Sequence, residues 1–250
     1  MRSMLRWLSL SLLGLALAGA VADTGFAQGA ALPAVRPGDG VVDGRLIRPG
    51  ATERHMVMMQ NDKAVGGATV RTVIAEAPAG GEPGLLVANT ITSARGTIYD
   101  TSLVRRRTLE PVWHHSTQPR RRMRLEFGPD SVTGSVTPSD SAAVGVMQAT
   151  AAPTFDSAVM DQVIAALPLA RGYAARLPLY IYERGGLVWF DVRVTGEEPA
   201  PGPHAGLAPA WVVRLDQAGM SVRCWVARDS RQLLRSEIDL GQGRRMVTTL

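Results

Sequence analysis

The sequence contains a short run of arginines whose side chains could bind an anion together. Arg120, Arg122 and Arg124 occupy every second position, and alternate residues of a strand point to the same face of a sheet. Three guanidinium groups on one face can bind phosphate, carboxylate or an acidic partner. The alternative is a solvated face with Glu110 and Glu126 as counter-charges. We treat Arg120, Arg122 and Arg124 as a candidate anion patch.

The cysteine and the histidine–methionine run could in principle react or bind a metal, but their sequence context indicates packing residues. Cys224 is the only cysteine, so no intramolecular disulfide can form, and its alternating apolar surroundings indicate a buried thiol rather than a nucleophile. The run His55–Met59 offers imidazole and thioether ligands for Cu(I), but successive strand residues face opposite ways. The sequence contains no G-x-S-x-G, H-E-x-x-H, S-x-x-K or P-loop motif. We expect no enzyme activity, no metal and no cofactor.

The N-terminus has the pattern of a secretory signal peptide. Arg2 and Arg6 precede an apolar run from Trp7 to Ala22, which is shorter than the roughly 20 residues that a membrane-spanning helix requires. Small residues then recur at cleavage-type spacing, so we expect cleavage after one of three alanines: Ala20, Ala22 or Ala27. The prediction is a protein exported to the periplasm, or beyond the cell, with residues 1–27 as its signal peptide.

Charge and hydropathy exclude several partners. The whole chain has a net charge of +5, of which Arg2 and Arg6 belong to the signal peptide, and this is too mild for a nucleic-acid-binding protein. No second apolar stretch is long enough to span a bilayer. We therefore expect no nucleic-acid partner and no integral membrane protein.

The rest of the chain is typical of an antiparallel β protein, because short alternating runs are separated by Gly, Pro and Asp turns. Residues 28–52 are rich in Gly and Pro and predict a flexible arm, with a short strand near Arg45–Ile47. Residues 53–250 then form a single β-rich domain. Its predicted strands are Arg54–Gln60, Thr69–Ala77, Leu85–Ser93, Thr97–Arg105, Leu109–Ser116, Arg121–Phe127, Ser131–Thr137, Ala143–Ala149, Leu179–Glu183, Leu187–Thr195, Ala210–Asp216, Met220–Ala227, Leu233–Leu240 and Arg244–Thr248.

One segment predicts a helix. Phe155, Val159, Val163 and Leu167 recur every four residues, Thr154 or Asp156 can cap the start, and Pro168 ends the pattern. A lone amphipathic helix in a β protein must pack its apolar stripe on the sheet.

Gly196–Pro209 predicts a loop. The expected fold is mainly β: a curved antiparallel sheet, or half-barrel, with one amphipathic helix on its concave face.

Several apolar residues are candidates for lining a cavity under that helix. Strands near Trp189 and Trp211 are apolar on both faces, which favours either cover on both sides or a cavity wall. An ordinary packed core is the alternative. The candidate ligand-binding residues are Phe155, Val159, Val163, Trp189, Phe190 and Trp211.

The sequence also resembles a known group of proteins. The similarity lies in segments spread from Thr108 to Glu237: Thr108–Val112, Phe127 with Val132–Gly134, Asp161–Tyr173, Val194–Glu198, Trp211–Val213, Trp225–Arg228 and Leu233–Glu237. These resemble uncharacterised bacterial envelope domains of unknown function that are similar in layout to the lipoprotein-carrier (Lol-type) fold. The resemblance implies a half-barrel with helix across its concave side, supplies no catalytic residues, and suggests acyl chains or lipoproteins as ligands.

The expected function is therefore a non-enzymatic envelope protein that binds a hydrophobic or amphipathic ligand, such as a lipid or a lipidated partner. An interaction or scaffold module of an envelope assembly, without a small ligand, is the second hypothesis. A hydrolase whose site is assembled from distant loops is the third.

Overall fold

The computed structural model describes residues 31–202 and 206–250. The predicted signal peptide and the first residues of the predicted arm lie outside this range. In the described part, alternating apolar residues and turn-forming glycines produce a mainly β structure with one large curved sheet that does not close. The strands are β1 (Gly50–Gln60), β2 (Lys63–Ala79), β3 (Glu82–Ser93), β4 (Gly96–Arg105), β5 (Pro111–Gln118), β6 (Arg121–Phe127), β7 (Ser131–Pro138), β8 (Val144–Ala149), β9 (Phe155–Asp156), β10 (Ala174–Ile181), β11 (Gly186–Pro201), β12 (Leu207–Gln217), β13 (Met220–Ala227), β14 (Leu233–Gly241) and β15 (Arg244–Thr249).

The sheet consists of two meanders joined in the middle. Its order is β8-β7-β6-β5-β4-β3-β2-β1-β15-β14-β13-β12-β11-β10-β9. Neighbours are antiparallel except β9 and β10, which are parallel, and β1 pairs with β15 to join the meanders. The two edges, β8 and β9, are consecutive along the chain.

This connectivity requires strong curvature. A flat sheet of this width would separate its edges by about 65 Å, because neighbouring strands lie about 4.8 Å apart. Only residues 150–154 connect β8 to β9, and so short a segment spans about 20 Å at most. The edges must therefore approach each other, and the sheet encloses a concave interior.

Side chains, rather than backbone pairing, bridge the gap between these edges, which we call the seam. Gln148 of β8 donates to the carbonyl of Gly185, and the Tyr180 hydroxyl donates to Gln148 Oε1 over 3.2 Å. Arg121 of β6 forms an ion pair with Glu183 beside β10. Tyr180 also packs in a small apolar cluster with Met123 and other residues of β6 and β7.

The predicted helix is shorter than its periodicity indicates. The α-helix α1 spans Met160–Ala166, Ser157–Val159 form a 3₁₀ turn, and Phe155–Asp156 form β9. Asp156 accepts a hydrogen bond from the backbone N–H of Ala158, so it is the cap, as one of the two predicted candidates. Leu167 is extended, because a residue before proline is disfavoured in the α conformation. No helix among the described residues is long and apolar enough to cross a membrane.

Two further local predictions differ from the structure. Gly44–Leu46 form a 3₁₀ turn, not the short strand expected near Arg45–Ile47, because the side chain of Asp43 caps this turn. The expected loop at 196–209 is mostly the ends of β11 and β12, whose pairing continues to Pro201 and Leu207. Residues 203–205, at its tip, are outside the described range.

The expected flexible arm is part of the core from residue 33 onward. Val35, Val42 and Ile47 are buried, and the backbone of Arg176 on β10 exchanges hydrogen bonds with Pro33 and Val35. The physical reason is that these apolar side chains cover the end of the interior beside α1, where Asp43 N–H donates to the carbonyl of Ala166.

The main core lies between α1 and the concave face of the sheet. Val163, Ile164 and Leu167 pack there with side chains of β10 to β13, among them Leu179 and Leu215. A smaller cluster around Val212, Trp225 and Leu234 covers the opposite face of β12 to β14. Buried apolar clusters therefore lie on both faces of β12, whereas Leu187 and Trp189 on the outer face of β11 are only half-buried.

Candidate functional site

Two small cavities remain inside the curved sheet, on either side of Ser157 and Ala158. Each has a volume of about 30 Å³. Ser157, Ala158 and Asn89 line both of them. The Asn89 side chain also holds this segment in place, because its Nδ2 donates to the carbonyl of Ala158 over 3.2 Å.

The first cavity has an apolar wall and a buried cation. Arg54 of β1 is only 7% exposed, and its Nη2 donates to Asp161 Oδ2 of α1 over 2.7 Å. Asp161 is more accessible than its partner, with 26% of its side chain exposed against 8% for Arg54. The ion pair connects the covering helix to the middle of the sheet. The apolar wall consists of Met56, Val70, Met160, Val222, Cys224 and Ile238.

Two buried hydrogen-bonding groups at this cavity have no partner among the described residues: Arg54 Nε and Thr248 Oγ1. Strand register brings them together, because Thr248 of β15 lies opposite Met56, two residues along β1 from Arg54. Leaving a buried donor unsatisfied costs about 1–3 kcal/mol. Such a pair of donors therefore favours a molecule with an acceptor oxygen in this cavity.

Cys224 is fully buried at the same cavity and forms no disulfide. Burial raises the pKa of its thiol, because a thiolate is poorly stabilised away from water. This agrees with the sequence interpretation of Cys224 as a packing residue.

The second cavity adjoins a buried polar cluster. Ser102 of β4 donates to Asp156 Oδ2 over 2.6 Å. His114 Nδ1 lies 3.1 Å from the same oxygen and 3.0 Å from Ser102 Oγ. Asp100, one inward position before Ser102, is 4% exposed, and its Oδ1 has no partner among the described residues. The four side chains come from β4, β5 and β9.

The electrostatics of this cluster favour a His114–Asp156 ion pair. Burial by itself raises the pKa of Asp156, but His114 and the Ser102 hydrogen bond outweigh burial, so the pKa is lowered. Burial by itself lowers the pKa of His114, but Asp156 outweighs it, so that pKa is raised. Asp100 differs, because burial dominates and raises its pKa. The cluster therefore holds one charged pair beside a carboxyl that resists ionisation.

Ser102, His114 and Asp156 have the residue types of a hydrolase triad but not its arrangement. In a triad, the serine contacts one imidazole nitrogen and the aspartate the other. Here Ser102 Oγ and Asp156 Oδ2 both contact Nδ1 of His114. Ser102 is also only 1% exposed. This arrangement orients β9 and the start of the helical segment, and it provides no general base for Ser102.

The structure brings most of the predicted ligand-binding residues together. Phe155, Val159, Val163 and Phe190 are fully buried in the main core, and half-buried Trp211 packs against that core. Trp189 is separate from them, since it is the neighbour of Phe190 on β11 and so faces the other side of the sheet. There its ring contacts the guanidinium groups of Arg36 and Arg176, whose Cζ atoms lie 5.6 and 5.5 Å from the ring centroid.

The predicted anion patch lies on the outer surface. Arg122 and Arg124 are exposed residues of β6, while Met123 and Leu125 between them are buried. Arg120 is exposed in the turn before β6. Among the described residues, none of these three arginines has an ion-pair partner within 4.0 Å. They form a solvent-facing group on the opposite face of the sheet from Met123 and Leu125, which line the second cavity.

Sequence reasoning missed the polar interior: Arg54, Asn89, Asp100, Ser102, His114, Asp161 and Thr248. The available signal was alternation, because Asp100 and Ser102 on β4 and His114 and Ser116 on β5 occupy every second position. Polar residues in such a row normally indicate the solvent face. Their inward direction depends on the strand order, which the sequence pattern does not determine. The described residues contain no group of three or more His, Cys, Asp or Glu side chains placed to hold a metal ion.

Comparison with known proteins identifies the family but no characterised relative. Neither the curated proteins nor the solved structures include a match to this chain. A family model described as "Protein of unknown function (DUF3108)" matches residues 60–248, which include β2 to β14, α1 and the whole lining of the second cavity. Arg54 and Met56 of the first cavity lie before the matched range. The chain therefore belongs to the DUF3108 family of proteins of unknown function.

Proposed function

We propose that this protein is a non-enzymatic component of the bacterial envelope that binds a hydrophobic or amphipathic ligand between α1 and the concave face of the sheet. The observation that carries the proposal is the first cavity, where an apolar wall surrounds a buried arginine with an unused donor. Ligand sites typically combine an apolar lining with a few convergent polar groups. The resemblance to the Lol-type layout supports the same location.

Ligand binding requires the helical segment to move. The first cavity holds about 30 Å³, whereas pockets for drug-sized ligands measure about 300–1,000 Å³. Displacing residues 157–167 would open the apolar face that Val159, Val163 and Leu167 now cover. The α-helix has only seven residues, and isolated helices that short are not stable in water. The segment is therefore suited to act as a lid whose order depends on what it packs against.

Native mass spectrometry of the mature protein, purified without detergent from a periplasmic extract, tests this proposal. We expect a reproducible adduct that organic solvent extracts and that is identified as a lipid. The Ala158→Leu variant enlarges a half-buried side chain that lines both cavities, and it should lose the adduct. Ala51→Leu, the same change at an exposed position of β1, is the matched control. A clean apo mass for wild type, from several preparations, would refute ligand binding.

The same mass measurement tests export. The proposed periplasmic location rests on residues 1–27, and cleavage after Ala20, Ala22 or Ala27 leaves three mature proteins of different mass. Recovery of one of these masses from the periplasm would support the location. An uncut chain retained in the cytoplasm would contradict it.

A second candidate function is supported by the outer surface. Arg122 and Arg124 are exposed on β6, and the edge strand β8 exposes Val144 and Met147, the latter by 88%. An exposed edge and an unpaired cationic face are features of interaction modules. If the interior holds no ligand, we expect charge reversal of Arg122 and Arg124 to remove an envelope partner captured by cross-linking. The same reversal at Arg193 and Arg214, exposed residues of β11 and β12, should retain it.

A further inference from the structure

We infer that Arg54 is the receptor for a singly charged carboxylate head group, and that Asp161 occupies the position of that carboxylate when the site is empty. This inference rests on the proposed function and specifies its ligand as an amphipathic carboxylate. It assigns the head group to the interior of the sheet rather than to the arginines of the outer surface.

The first argument is the unused capacity of Arg54. A guanidinium has five N–H donors arranged to bind a carboxylate with two parallel hydrogen bonds. Among the described residues, the side chain of Arg54 makes one hydrogen bond, from Nη2 to Asp161, while its buried Nε has none. Nε and Nη2 lie on the same side of the guanidinium group. A ligand carboxylate can therefore use both, whereas Asp161 is held through Nη2 alone.

The second argument is the composition of the surroundings. The hydroxyl of Thr248 is a second buried polar group without a partner at the same cavity, beside Arg54 Nε. Met56, Val222 and Ile238 provide apolar surface beside it. A molecule that satisfies this cavity needs acceptor oxygens at one end and an apolar body next to them. That combination describes an amphipathic anion.

The third argument is charge balance. Arg54 and Asp161 together bury one positive and one negative charge, and an unpaired buried charge is strongly unfavourable. A ligand with one negative charge can replace Asp161 and leave the balance unchanged. Asp161 can accept this exchange because its side chain is already 26% exposed and can turn to water. A cationic ligand, or one with a double charge, would leave the site unbalanced.

The exchange also explains how a closed interior can open. The Arg54–Asp161 pair connects β1 to α1, so a carboxylate that displaces Asp161 removes one of the polar contacts that hold the helix down. The ligand thereby weakens the lid that excludes it. An ordered water molecule could satisfy Arg54 Nε and Thr248 Oγ1, but a neutral water would not replace Asp161.

The test compares ligands that differ only in their head groups. Calorimetric titration of the mature protein with decanoate and with decanol, both below their aggregation limits, gives the preference for the charge. Because hydrogen bonds to charged groups are stronger than neutral ones, we expect decanoate to bind about 10- to 100-fold more tightly. Arg54→Gln should abolish that preference, measured as the ratio of decanoate affinity to decanol affinity in the same variant. Thr248→Val should reduce it by about 10-fold or less.

A second variant tests the exchange even if Arg54→Gln does not fold. Asp161→Asn removes the competing carboxylate, so decanoate should bind at least about tenfold more tightly than to wild type. Decanoate should also raise the thermal midpoint of Asp161→Asn more than that of wild type, because the ligand supplies the missing counter-charge of Arg54. Asp216→Asn, in the exposed pair with Arg214, is the control that should leave both quantities unchanged.

The outcomes separate this inference from the proposed function. If decanoate and decanol bind wild type equally, the head-group inference is wrong, while ligand binding stands. If neither ligand binds, the proposed function fails with it. If methyl decyl phosphate, a phosphodiester, binds more tightly than decanoate and Arg54→Gln abolishes the difference, the carboxylate assignment is overturned.

Discussion

The buried pair of His114 and Asp156 allows a quantitative prediction. Asp156 accepts from Ser102 and from His114 on one oxygen, and from the Ala158 backbone on the other. The substitution Asp156→Asn keeps the shape of the side chain and the oxygen that accepts from the backbone N–H of Ala158. It removes the negative charge and leaves His114 without its ion-pair partner in the buried polar cluster.

The expected loss follows from the burial of both groups. His114 is 4% exposed and Asp156 is 3% exposed. Removing one partner of a buried ion pair typically lowers the free energy of unfolding by about 3–5 kcal/mol. Domains of this type have total stabilities of about 5–15 kcal/mol, so the variant should still fold under mild conditions but with a clearly lower midpoint.

The effect should depend on pH in a defined way. The pKa of His114 is raised in the folded state, so its contribution is complete below its unfolded pKa of about 6.5 and is lost as the pH rises through the folded pKa. The pKa of Asp156 is lowered, so its contribution is present above about 3.9 and is lost as the pH falls through the folded pKa. The difference between wild type and Asp156→Asn should therefore be largest between these two limits.

Urea unfolding followed by tryptophan fluorescence, repeated from about pH 4 to about pH 9, measures this difference. At the alkaline end we expect it to fall to about 1–2 kcal/mol, the value of the remaining hydrogen bonds. Asp216→Asn is the control, because its exposed pair with Arg214 contributes under about 1 kcal/mol. A loss for Asp156→Asn as small as this control, or one that does not change with pH, would refute the buried ion pair.

Three other predictions concern single side chains. Gly134→Ala should abolish folding or cost several kcal/mol, because Gly134 has φ +148° and an added Cβ would lie 1.9 Å from the carbonyl oxygen of Arg124; an unchanged thermal midpoint would contradict the path of β7. Asp100→Asn should raise the thermal midpoint at pH 8, since burial raises the pKa of Asp100. This gain should vanish as the pH falls through that pKa. A lower thermal midpoint for the variant at pH 8 would show that the charge of Asp100 is favourable. Cys224 should react with iodoacetamide only after unfolding, because it is fully buried and burial raises its pKa; fast alkylation of the native protein would indicate an open interior.

The strand positions were predictable because they depend on local pattern. Each of the strands predicted within residues 53–250 overlaps a strand of the structure, and Arg121–Phe127 and Met220–Ala227 have the predicted bounds. Alternation and turn residues act within a few positions, so the sequence contains this information directly. The predictions are wrong where contact with an element distant in the sequence determines the local conformation. Phe155 fits the helical period but forms β9 with Asp156 and pairs with β10, which the local pattern cannot indicate.

The polar interior was not predictable for the same reason. Arg54, Thr248 and Asp161 are far apart in the sequence and meet only because β1 pairs with β15 and α1 covers both. Val159 and Val163, in contrast, were predicted correctly as inward-facing, since a helical stripe is a local pattern. An alternating polar row such as Asp100 and Ser102 is compatible with either face until the sheet curves around it.

The polar contacts of the helical segment bear on the proposed function in a way that its apolar contacts do not. Asp156 binds β4 and β5 at its start, Asp161 binds β1 in its middle, and the carbonyl of Leu167 accepts from Arg231 at its end. Buried ion pairs are often no more stabilising than apolar side chains of the same volume. If the helical segment never moved, apolar contacts alone would therefore hold it on the sheet equally well. Polar contacts differ in one respect: a ligand oxygen can replace the carboxylate of Asp161 one for one, so the helix can be released and restored without leaving a charge unpaired. This exchange is the property that a lid requires, and it supports placing the ligand site beneath α1 rather than on the outer face.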